Sequence, residues 1–87
     1  MNIFQKYSTP EGWQEDIDLY ENRLNLLKEQ IEYWEKEKQK KFQFKKRKER
    51  IEKNLNTFYY LYEKTKNNLE YAKFNKIKYE NKEKEEL

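Results

Sequence analysis

The sequence predicts an all-α protein, two long helices folded back on each other as an antiparallel, coiled-coil-like hairpin. Three observations predict it. Apolar residues recur at alternating intervals of four and three in two separate runs, which keeps each run on one face of a helix. The single Gly and the single Pro lie close together near the amino end, so neither run is interrupted. The two runs also complement one another layer by layer, in mirror register about residues 42–43.

Residues 1–9 carry Ile3, Phe4 and Tyr7 without a period and are expected to form an arm. A helix start follows. Ser8 or Thr9 can accept a hydrogen bond from the first turn, and Pro10 suits the first helical position. Glu11, Glu15, Asp16 and Asp18 favour the positive end of the helix dipole, while Gly12 weakens the turn without cancelling it. The first seam is Trp13, Ile17, Tyr20, Leu24, Leu27, Ile31 and Trp34. The second is Ile51, Leu55, Phe58, Tyr62, Thr65, Leu69 and Ala72, with Tyr79 continuing it after Lys76.

Antiparallel pairing sets Trp34 against Ile51, Ile31 against Leu55, Leu27 against Phe58 and Leu24 against Tyr62. It continues with Tyr20 against Thr65, Ile17 against Leu69 and large Trp13 against small Ala72. Charge agrees weakly, since residues 1–35 carry net −5 and residues 51–87 net +1. The alternative is one continuous helix in a parallel dimeric coiled coil. That would place Lys38, Lys41, Lys45, Lys48 and Glu52 at successive seam positions, where burial of charge is costly. A turn among these residues removes the conflict, although no Gly or Pro marks it. The expected organisation is an arm at 1–9, a hairpin at 10–79 with a basic tip near 36–50, and a charged, frayed tail at 80–87. Tyr71, Phe74, Ile77 and Tyr79 lie past the first helix, with Ile3, Phe4 and Tyr7 as the nearest cover.

Composition fits a narrow seam better than a globular core. Of 87 residues, 43% are charged and 34% hydrophobic, yet net charge is only +3 and fifteen aromatics offer large areas to bury. One domain is the ceiling. Lysine outnumbers arginine 17 to 3, valine is absent and Ala72 is the only alanine, a bias toward residues with AT-rich codons that suggests a low-GC bacterial, plasmid or phage source. The amino end lacks a basic-then-apolar leader pattern and no stretch approaches 18 apolar residues, so a cytoplasmic protein without membrane attachment is expected.

Catalytic residue types are scarce. There is no His and no Cys, and Ser8, Thr9, Thr57 and Thr65 are the only non-phenolic hydroxyls, so a nucleophile and its base cannot be assembled. One Gly cannot build a phosphate-cradling loop. Carboxylate pairs such as Glu11 with Glu15 stand at helical spacing among lysines, the pattern of a solvated face. Neither metal, cofactor nor catalysis is expected.

Two surfaces remain. Residues 36–50 hold nine basic side chains against Glu37 and Glu49, centred on Lys-Lys-Phe-Gln-Phe-Lys-Lys. The candidate binding residues of this tip are Lys40, Lys41, Phe42, Phe44, Lys45, Lys46, Arg47, Lys48 and Arg50. They suit phosphates and unpaired bases, an acidic protein groove, or simply a solvated turn. The second surface comprises Leu19, Leu26 and Tyr33, seven residues apart and off the first seam, with Tyr59, Leu61, Tyr71 and Phe74 beyond the second. Aligned apolar rows of this kind suit a further helix, from a target or from a second copy completing a four-helix bundle. The expectation is a non-catalytic protein-binding module, a mobile-element accessory factor or inhibitor acting on host nucleic-acid machinery by steric blockade or conformational locking. It is not an acidic mimic of DNA, so a nucleic-acid groove would have to be acidic to receive it. Direct nucleic-acid binding through the tip and a structural coiled-coil scaffold are the alternatives.

Overall fold

A computed structural model of the chain describes residues 7–41 and 44–86. Its elements are α1, Pro10–Lys38, and α2, Lys45–Glu86, packed as an antiparallel hairpin. The long dimension of 65 Å is close to the length of α2 itself, 42 residues at about 1.5 Å each. No described helix is long and apolar enough to cross a membrane.

The start of α1 follows from its sequence. Thr9 has an extended backbone and its Oγ1 accepts from the Gly12 N–H at 3.2 Å, so Thr9 rather than Ser8 is the cap. Pro10 fills the first helical position, where no amide donor is required. The end of α1 needs no left-handed residue. Gln39 stays right-handed (φ −76°, ψ −12°) and its N–H donates to the Lys36 carbonyl at 3.1 Å, while the Lys40 N–H donates to Glu37 at 3.3 Å. These tighter bonds close the last turn of α1, and no described residue has positive φ. Phe44 begins α2 through its carbonyl, which accepts from Arg47 and Lys48 at 3.0 and 3.1 Å.

Burial follows the two seams. On α1, Ile17 is buried and Trp13, Tyr20, Leu24, Leu27, Ile31 and Trp34 are half-buried. On α2, Ile51, Leu55, Thr65, Leu69 and Ala72 are buried and Phe58, Tyr62 and Tyr79 half-buried. Ile17, Leu69 and Ala72 form one cluster against Trp13, Tyr20 and Leu24, which is the expected register at the open end. Cross-helix bonds agree: Arg47 reaches Glu37 at the tip and Lys76 reaches Gln14 at the other end, the latter at 2.6 Å. Lys38, Lys41, Lys45 and Lys48 are exposed, so the reversal of the chain spares them the burial that a continuous helix would impose.

Helix α2 runs through residues 80–86, the charged segment expected to fray. Lys76 and Glu80 pair one turn apart at 3.5 Å, and the last turn carries Lys84 at the negative end of the dipole, both of which favour helix. Beyond Lys76 about ten residues of α2, some 15 Å, extend past the start of α1.

Candidate interaction surfaces

The tip is built by two helix ends meeting over one buried carboxylate. Glu37, buried on the last turn of α1, takes the Arg47 Nη2 on Oε2 and the Lys40 Nζ on Oε1, both at 2.8 Å. The Lys40 hydrogen bond, followed by that of Arg47, holds its carboxyl below the ordinary carboxylate range. Glu37 thus fastens the connection to both helices.

The other described residues of the predicted tip face solvent. Lys41, Lys45, Lys46, Lys48 and Arg50 are exposed and make no ion pair among the described residues. Phe44 is 87% exposed, the most exposed large hydrophobic side chain among the described residues. Phe42 lies outside the described residues, as do Ile3 and Phe4 of the arm. Four basic residues, Lys45, Lys46, Arg47 and Lys48, open α2 with no acidic residue in its first turn, so the positive end of the dipole coincides with the positive charge. A depression of about 230 Å³ between Lys38, Lys48, Ile51 and Glu52 closes the seam here.

The second predicted surface divides in two. Leu19, Leu26 and Tyr33 are 46%, 62% and 53% exposed along the outer side of α1. Leu26 borders a shallow groove of about 310 Å³ whose other walls are Arg23, Leu27, Leu61 and Thr65, so α2 contributes to this face through Leu61. Arg23 lies over the Tyr20 ring at 5.9 Å. Tyr71, Phe74 and Ile77 form a separate exposed patch at the open end of α2.

The arm reaches the hairpin through Tyr7. Its ring lies 4.9 Å from that of Trp13, whose Nε1–H donates to the Tyr7 carbonyl at 2.9 Å. Trp13 in turn meets Tyr71 edge-on at 5.8 Å. Tyr7 therefore covers Trp13, and Phe74 and Ile77 stay exposed among the described residues. Tyr59 belongs to neither surface cleanly. Its hydroxyl donates to Glu35 Oε1 across the hairpin at 2.9 Å, and that bond raises the phenol above its usual value.

Two features were missed from sequence. Glu37 read as a minor exception in a basic run, although the mirror register sets it one or two residues from Arg47, a signal that could have exposed the pair. Tyr60, 65% exposed, lay outside every row considered. Among the described residues no group of three or more His, Cys, Asp or Glu stands close enough to hold a metal ion. Compared with known proteins, the chain matches no family model, no curated relative and no solved structure.

Proposed function

We propose that this chain is a non-catalytic binding module that places its tip against an acidic surface of a larger protein and acts by occupying it. Phe44 carries the reading: an aromatic ring held 87% in water at the start of α2, among Lys41, Lys45, Lys46 and Lys48. Exposure of so much hydrocarbon at the end of a narrow hairpin is unfavourable alone and becomes favourable when the ring enters a pocket. The surrounding ammonium groups call for carboxylates around that pocket. The Glu37 anchor fixes Lys40 and Arg47 on either side of the connection, which lowers the ordering cost of binding at these residues. Steric blockade or locking of one conformation is the mechanism such a tip allows, and a mobile-element factor directed at host nucleic-acid machinery is the setting that fits the residue bias.

The test uses the chain as bait in nuclease-treated extract, beside Phe44→Ala and a charge-reversed Lys45→Glu, Lys46→Glu, Lys48→Glu variant. Phe44→Ala retains the backbone carbonyl that starts α2, so helicity is expected to be unchanged. Loss of the same captured protein by both variants is expected. Undiminished capture by both would remove the tip from the mechanism.

A second reading, direct nucleic-acid binding, is favoured by the cluster of exposed cations without ion pairs at the tip. Its signature is affinity for duplex or single strands that falls steeply with salt. Absence of a shifted species in low-salt electrophoretic titration would reject it. Against it, Arg47 is committed to Glu37.

A further inference from the structure

We infer that a second copy of this chain docks on the outer face of α1, antiparallel, with Leu26 on the two-fold axis. The face is independent of the tip. Leu19, Leu26 and Tyr33 stand seven residues apart, which on one helix is a straight row about 21 Å long. The row is symmetric about its middle member. When two such rows run antiparallel, Leu26 meets the partner's Leu26, and Leu19 meets the partner's Tyr33. The groove already present beside Leu26, walled by Arg23, Leu27, Leu61 and Thr65, is the recess that would take the partner's Leu26 side chain. Both helices of each hairpin then contribute, giving a four-helix arrangement with an isologous interface.

Charge selects this occupant and this direction. Helix α1 carries eight acidic and two basic residues between positions 10 and 35, while residues 36–50 are strongly basic. Antiparallel docking about Leu26 brings the partner's Lys36 and Lys38, on the last turn of its α1, to the end of α1 that carries Glu11, Glu15 and Asp18. Parallel docking would instead stack basic tip on basic tip. A strip as long as α1, about 43 Å, and about 10 Å wide covers on the order of 900 Å² over both copies, below the range of stable interfaces and within that of weak, transient ones. Reversible association in the micromolar range, weakened by salt, is the expected strength.

The experiment is sedimentation equilibrium of the full chain with a Leu26→Glu variant, plus distances between identical labels. Leu26 is 62% exposed, so the variant is expected to keep its helicity while two carboxylates face each other on the axis. The wild type is expected to be dimeric at tens to hundreds of micromolar, with Leu26→Glu monomeric. Labels at Asn25 should lie close between copies, and labels at Lys36 about 30 Å farther apart along the axis. A wild type that stays monomeric overturns the inference, as does a dimer unaffected by Leu26→Glu. Equal inter-copy distances at both positions would mean parallel docking and overturn it as well.

Discussion

Glu37 shows what one side chain does where two helix ends carry the same sign of charge. Nine cations lie between residues 36 and 50, and this buried carboxylate takes Arg47 and Lys40 together. Its pKa is lowered in the folded chain, first by Lys40 and then by Arg47. The folded state therefore binds this proton less readily than the unfolded state. The resulting stability is present above the ordinary carboxylate pKa and is lost as pH falls through the lowered value. Glu37→Gln is expected to lower the melting temperature at neutral pH, with the gap from wild type narrowing as solution becomes acidic. Melting curves of both chains across the acid range check this, and a gap constant with pH would show that Glu37 acts only by packing. Tyr59 titrates in the opposite sense. Its raised phenol favours the fold below the ordinary tyrosine range, and that contribution disappears as pH rises through the folded value.

At the scale of the element, burial is uneven between the two helices. Ile51 at 1% exposure and Leu55 at 3% are sealed between the helices, whereas most of the α1 seam is half-buried. Leu55→Ala is expected to cost about 2–5 kcal/mol through lost burial and the cavity left behind. Thr9→Ala, which removes the cap on Gly12, should cost about 1 kcal/mol. Urea unfolding of the two variants gives both values, and equal losses would contradict this difference. The helices and their register were legible because coiled-coil seams repeat a local rule, and because Trp13 and Ala72 are complementary in size. The turn was less legible. The last turn of α1 closes on carbonyls of Lys36 and Glu37 that any residue supplies, so composition leaves no mark there. Beyond Tyr79 the alternating Lys and Glu lack an apolar period, yet α2 continues through them, with Lys76 and Glu80 paired one turn apart. Within the tip, charge was readable from composition, whereas the division between tethered Arg47 and the outward cations depends on the fold.

For the whole molecule, the unequal helices matter most. The Glu37–Arg47 bond closes a loop of ten residues, while Gln14 and Lys76 are separated by sixty-two. The entropy of bringing chain segments together grows with the loop between them, so contacts nearest the turn have the lowest closure cost. Once they form, each further layer adds only the few residues beyond the last. The hairpin is therefore expected to assemble from the tip toward the open end, as a zip. Ile51→Ala should chiefly slow folding, and Leu69→Ala should chiefly speed unfolding, because its layer closes after the rate-limiting step. Stopped-flow measurements over a range of urea concentrations separate the two, and the reverse assignment would place the nucleus at the open end. The basic tip then has a role in time as well as in space. The first native pairing would form among like charges, with Glu37 as the counter-ion, so moderate salt should hasten folding by screening the cations around it.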